Sequence, residues 1–356
     1  MKKTALIMAG GRGERFWPRS RKRLPKQFLS LTDDGKTMIQ LTVERILPLV
    51  EMDSIYIATN RSYKKLVQEQ LPGLPEENIL CEPAARNTAP CIGLGAAHME
   101  RKYGDAVMFV LPSDHLITYP QIFRRTLSEA ARTAETGASL VTIGIAPTYP
   151  ETGYGYIRFR PEEMFGAAYA VDGFVEKPDL EIAREYVQSQ QYLWNSGMFT
   201  WKVSTILDNL QEYLPETWEG LRRIQQSIGT EEQEDVLERE FRLFRSVSID
   251  YGVMEKAKNL YILTGSFGWD DVGSWLALER MQEKNDFGNI VSGNVVTVGT
   301  KNAIIQGEKK LIAAVGLENM IVIDTEDALL VCAKNSVGDI RKVIENLKIC
   351  NRTEYL

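Results

Sequence analysis

Residues 9–16 read Ala9-Gly10-Gly11-Arg12-Gly13-Glu14-Arg15-Phe16, and Pro25-Lys26-Gln27-Phe28 follows soon after. Glycines behind a first strand let the main chain approach a ligand and aim its N–H groups at an anion. Arginine adds planar, multidentate donors and lysine a compact point charge. A loop with all three suits a nucleoside triphosphate. Between Arg12 and Lys26 the basic residues Arg12, Arg15, Arg19, Arg21, Lys22, Arg23 and Lys26 stand against Glu14 alone, a net +6 in a chain of net charge −6. Such a segment on an acidic protein points to a small polyanion; the blander reading is a solvated basic loop. The global charge disfavours non-specific nucleic-acid binding. Two familiar motifs fail. The dinucleotide fingerprint needs a third glycine where Phe16 stands, and the P-loop tail Gly35-Lys36-Thr37 has Ser30 in place of its first glycine and no apolar strand before it.

The elements that must hold this loop alternate. Strands are expected at Lys3–Ala9, Ser54–Thr59, Ala106–Leu111 and Ala138–Ile145, with helices at Thr37–Leu47, Ser62–Leu71, Thr88–Tyr103 and Gln121–Glu135. Short apolar strands between amphipathic helices predict an α/β fold with a Rossmann-like mixed, mostly parallel sheet, whose ligands gather at the strands' carboxyl ends. From Tyr149 to Gly273 the pattern loosens into a substrate-side extension, with strands at Tyr156–Phe159, Ala168–Glu176 and Trp194–Trp201 and helices at Ser204–Tyr213 and Glu231–Phe244. After Asp286 come short strands at Ile290–Val298, Ala303–Gln306, Leu311–Val315, Met320–Asp324 and Ala328–Cys332, then a helix from Val337 to Ile349. The expected division is residues 1–285, and 286–356 as a small C-terminal β-rich module. Its strands suggest β-helix coils, but no hexapeptide period can be counted. The composition of 44% hydrophobic and 25% charged residues is globular. The cysteines Cys81, Cys91, Cys332 and Cys350 form no CxxC, which argues against zinc and a disulfide framework. The apolar run Ala5–Ala9 is too short for an export leader and no stretch is long enough to span a membrane, so a cytoplasmic protein is expected.

The run GGRGERFWPRS followed by PKQF resembles the signature of mannose-1-phosphate guanylyltransferases, within the sugar-nucleotide pyrophosphorylase superfamily. The resemblance continues in order through Glu82-Pro83-Ala84-Ala85-Arg86-Asn87-Thr88-Ala89-Pro90, Leu111-Pro112-Ser113-Asp114-His115, Thr152-Gly153-Tyr154-Gly155-Tyr156-Ile157, Phe174-Val175-Glu176-Lys177-Pro178, Trp194-Asn195-Ser196-Gly197-Met198-Phe199, Ser248-Ile249-Asp250-Tyr251 and Trp269-Asp270-Asp271-Val272-Gly273-Ser274-Trp275. Single motifs such as EKP are weak; the ordered set is specific. Asp270 and Pro83 depart from the family, where Ser and Asn are common.

The resemblance implies attack by a sugar-1-phosphate oxygen on the α-phosphorus of GTP, expelling pyrophosphate. That chemistry needs positioning and charge neutralisation more than a general base. It assigns Lys26 to the α-phosphate, Arg12 and Arg15 to the β- and γ-phosphates, and Asp114 with Asp271 to Mg²⁺, an ion that prefers few carboxylates plus substrate oxygens and water. Ala9, Gly10, Gly11 and Gly13 would lie against the nucleotide, with Glu82, Arg86, Asn87 and Thr88 beside it. A carboxylate such as Glu82 can accept both guanine N1–H and N2–H₂, which adenine cannot match. Gly155, Glu176, Lys177, Asn195 and Asp250 would meet the sugar phosphate. Structural alternatives stand beside several of these: an N-cap for Asp114, Asp250, Asn87 or Thr88, an ion pair with Glu14 for Arg15, and one with Arg86 for Glu82. His115 and His98 read as packing residues, Trp194, Phe199, Trp201 and Trp269 as core, and Arg19, Arg21, Lys22 and Arg23 as a mobile, solvated rim. The competing functions are the same chemistry on another NTP and hexose-1-phosphate, and a non-catalytic sugar-nucleotide sensor. The partners implied are GTP, mannose 1-phosphate and a second copy of the chain. Some larger relatives carry an isomerase domain; ending at Leu356, this chain is expected to have a single activity.

Overall fold

Strand Lys3–Met8 shows why the sheet forms. Ala5, Leu6 and Ile7 are fully buried in succession, which requires cover on both faces. In the computed structural model, which describes residues 1–11, 13–32 and 34–356, the strand is central to a nine-stranded mixed sheet. The strand order is Ile79–Glu82, Ile55–Asn60, Lys3–Met8, Val107–Pro112, Tyr192–Lys202, Leu140–Ile145, Leu260–Gly265, Ala168–Glu176, Gly155–Phe165. The first four pair in parallel, as do Leu140–Ile145 and Leu260–Gly265; Tyr192–Lys202 runs antiparallel to both its neighbours. Met8, Glu82 and Pro112 therefore end on one edge. Helices Thr88–Tyr103, Val203–Tyr213, Pro215–Ser227 and Gln233–Leu243 share a core with Leu6, Tyr56, Val110 and Trp201. Phe199 and Trp194 are buried as expected. Helix Pro215–Ser227 and strand Leu260–Gly265 were not legible beforehand.

The sheet belongs to a unit of residues 1–10, 42–113 and 117–269. A second unit holds 11–41, 114–116 and 270–356, so it joins the C-terminal module to the cationic loop. The module is a short parallel β-helix. Strands Ile290–Ser292, Ile304–Gln306 and Met320–Asp324 stack in parallel, closed by antiparallel Leu329–Ala333, while Val295–Val298 pairs with Ile312–Val315. The single strand expected at Ile290–Val298 is two, because the chain turns at Gly293, φ 89°. Ile290 stacks on Ile304 and Ile304 on Ile321, steps of 14 and 17 residues. Unequal coils explain why no period could be counted. Asn302 and Asn319 turn consecutive corners in the left-handed region.

The rim reading fails for Arg21. It is 8% exposed, 2.6 Å from Asp327, lies over the Trp17 ring and donates to the Tyr355 carbonyl. The cause is the loop's anchorage in the module core: the Trp17 indole donates to Tyr355 O (2.8 Å), the Trp275 indole to Trp17 O (3.1 Å), and Phe16 packs on Trp275. Arg19, half-buried, donates to Gln306; Lys22 and Arg23 are exposed.

Candidate functional site

Three groups of candidate residues emerge. The first lies wholly in the second unit, in a cleft of about 400 Å³ lined by Gly13, Arg15, Lys26, Asp114, Asp271 and others. Lys26 opens a 3₁₀ turn after Pro25 and is 4% exposed. Its ammonium sits 2.9 Å from the Asp114 carboxylate and donates to the Asp271 carbonyl at 2.6 Å. Burial pushes the Asp114 carboxyl up, but Lys26 and His115 together hold it below its ordinary value. Gly13 is left-handed (φ 61°), and a Cβ there would lie 2.5 Å from Lys26 Cβ and 2.7 Å from the Lys26 backbone nitrogen. This glycine thus makes room for the lysine, a role beyond the ligand contact its spacing suggested. Arg15 is exposed and donates to the Gly273 carbonyl; Glu14 pairs with Lys348 instead. Arg12 lies outside the described residues.

Asp271 sits in a strained loop. Val272 beside it is fully buried with φ 48°, a conformation that β-branched residues avoid. Asp270 accepts from the Val272 N–H at 2.8 Å and is gripped by Arg280, so it locks the loop. Asp271 Oδ1 accepts from the Gly273 N–H. Among the described residues no group of three or more His, Cys, Asp or Glu could cage a metal ion. Two carboxylates lining one cleft fit an ion that takes its other ligands from phosphate and water.

The second group is in the first unit. The Ala9 N–H bonds to Ala58 O and its carbonyl accepts from Thr59, so Ala9 continues the sheet and its N–H is not available to read a base. Gly10 abuts Glu82: a Cβ on Gly10 would stand 3.4 Å from the carboxylate. Burial pushes the Glu82 carboxyl up to about 7, against the lowering effect of Cys91. Asn87 is the N-cap of Thr88–Tyr103, accepting from the Thr88 N–H, while the Thr88 hydroxyl accepts from Ile249 N–H and Arg86 donates to the Arg242 carbonyl. Arg86 and Thr88 pin the 242–249 segment, and the cap reading for Asn87 is observed.

The third group joins Gly155, Glu176, Asn195 and Asp250, also in the first unit. Gly155 pairs with Glu176 in register, and a Cβ on it would strike that carboxylate and touch Asn195 Cβ at 3.4 Å. Asn195 donates to Asp250 at 2.9 Å. Burial, and then Glu176, push the Asp250 carboxyl up to about 6, so Asp250 is part of this cluster and not a helix cap. Lys177, exposed and at φ 48°, pairs with Glu176. Sequence reasoning missed two cleft residues, His115, taken for packing, and Arg341, which carries no motif. All four cysteines are free, and no helix among the described residues is long and apolar enough to cross a membrane.

A Nucleotidyl transferase family model matches residues 4–286, and a MannoseP isomerase/GMP-like beta-helix domain model matches 293–347. The chain is 40% identical over 362 residues to the mannose-1-phosphate guanylyltransferase of Salmonella montevideo, covering 99% of this chain and 75% of that one. It is 40% identical over 359 residues to the mannose-1-phosphate guanylyltransferase of Escherichia coli (strain K12), covering 98% and 74%. The crystal structure of mannose-1-phosphate geranyltransferase from Thermus thermophilus is similar with a TM-score of 0.89 and 36% identity, over 98% of this chain and all of that one. Enzymes of this kind generally use a divalent metal ion. The motif resemblance and the α/β fold with its β-helix module are borne out, and the chain belongs to the nucleotidyl transferase family.

Proposed function

We propose that this protein makes GDP-mannose and pyrophosphate from GTP and α-D-mannose 1-phosphate. The observation that carries the reading is Lys26, a buried ammonium held against Asp114 and the Asp271 carbonyl in a cleft that also presents Arg15. The sugar-phosphate oxygen forms a new bond to the α-phosphorus in line with the breaking bond to the β-phosphate, and the electron pair leaves with pyrophosphate. The nucleophile is already anionic, so no base is assigned. Lys26 offsets charge growing at the α-phosphate, and Arg15, with Arg12, holds the leaving group. Asp114 and Asp271 would hold Mg²⁺, which when bound would neutralise part of the repulsion between the two polyanions.

Glu82, with Gly10 and Gly11, reads guanine. Glu176 and Asn195, oriented by Asp250, accept and donate to sugar hydroxyls, and Lys177 binds the sugar phosphate. The names of the relatives support the substrate pair. The family matches at 4–286 and 293–347 support a division near 285/286. A cytoplasmic homodimer completes the reading. Assays of GTP against UTP and dTTP, each with mannose 1-phosphate or glucose 1-phosphate, test it. GDP-mannose as the preferred product is expected, and a strong preference for another pair would overturn it.

A further inference from the structure

The cleft around Lys26 has a contributor from the C-terminal module. Arg341 lines it, from the first turn of helix Ile340–Ile349. Two features fix that helix. Ile340 and Ile344 are 2% and 5% exposed in the core that also buries Phe16 and Trp17, and Lys348 pairs with Glu14 of the cationic loop at 3.5 Å. Its neighbour Lys342 is paired with Asp339 at 2.7 Å, whereas Arg341 makes no ion pair among the described residues. The cations of the cleft are graded by depth. Lys26 is buried and matched by Asp114, while Arg15 and Arg341 are exposed. An exposed guanidinium over a phosphate cleft meets the terminal phosphates, with multidentate donors that a lysine lacks.

We propose that Arg341 binds the β- and γ-phosphates of GTP and the pyrophosphate they become, so that the β-helix module completes the phosphate site. This rests on the activity proposed above. The test is pyrophosphorolysis of GDP-mannose by Arg341→Ala, Arg341→Lys and, as a control on the same helix, Lys342→Ala. Arg341→Ala should raise KM for pyrophosphate about tenfold and leave KM for GDP-mannose and the melting temperature unchanged. Arg341→Lys should recover part of the loss and Lys342→Ala show none. Calorimetric titration with magnesium pyrophosphate should show the same weakening without turnover. An unchanged KM and unchanged pyrophosphate binding in Arg341→Ala would overturn the proposal, as would a uniform loss for both substrates accompanied by a lower melting temperature. Wild-type protein that turns over neither direction would instead refute the proposed activity, and the calorimetric comparison would still decide for or against Arg341.

Discussion

Asp114 and Asp250 are the same residue in opposite surroundings. Asp114 lies beside an ammonium and an imidazole, and its carboxyl is held below the ordinary range. Asp250 is buried beside another carboxylate, and burial first and Glu176 second push its carboxyl up to about 6, against the lowering effect of the bond from Asn195. The group around Asp114 pairs acids with cations and lines a cleft with exposed arginines; the group around Asp250 is acid-rich, with the exposed Lys177 at its margin. That contrast matches two ligand chemistries. Phosphates need compensating charge, whereas sugar hydroxyls need directional acceptors and donors. Residue type alone therefore assigns no role here, since the surroundings move the two carboxyls in opposite directions from their ordinary value.

The contrast can be broken from its strongest side first. Asp271→Ala should lower kcat about 100-fold and raise the Mg²⁺ concentration needed for half-maximal rate, read from metal titrations of initial rate. Gly13→Ala should come next. The new methyl meets Lys26 backbone in a left-handed turn, so thermal unfolding should show a loss of about 1–3 kcal/mol and turnover should fall at least tenfold. Glu176→Gln should raise KM for mannose 1-phosphate about tenfold while KM for GTP holds, and equal effects on both would erase the proposed division of labour. The smallest effect is on pH. Glu82 binds a proton below about 7 and can then no longer accept twice from guanine. KM for GDP-mannose at saturating pyrophosphate should therefore fall as pH rises from 6 to 8, and Glu82→Gln should flatten that profile.

Legibility followed the range of the interactions. Helix Thr88–Tyr103 and strand Ala168–Glu176 stand where local pattern puts them, because capping at Asn87 and a short run rich in apolar and aromatic residues are short-range signals. The gathering of Gly155, Glu176, Asn195 and Asp250 matches the motif set. Arg21 was misread because its partners, Asp327 and Tyr355, lie some three hundred positions along the chain, and no local charge count reports them. The β-helix resisted periodic reading because its coils differ in length. Gly13 was identified, but its Lys26 contact was invisible, since a glycine in sequence does not say what occupies the space of its missing side chain. Arg341 carries no signal in an amphipathic terminal helix except by proximity.

On the proposed function, Lys26 and Asp114 form one charge-compensated unit for handling phosphate. Initial rates of GDP-mannose formation by Lys26→Ala and Asp114→Ala, each checked for native circular dichroism, test it most directly. Both folded variants should lose at least about 100-fold in turnover. Near-normal rates in both would contradict it.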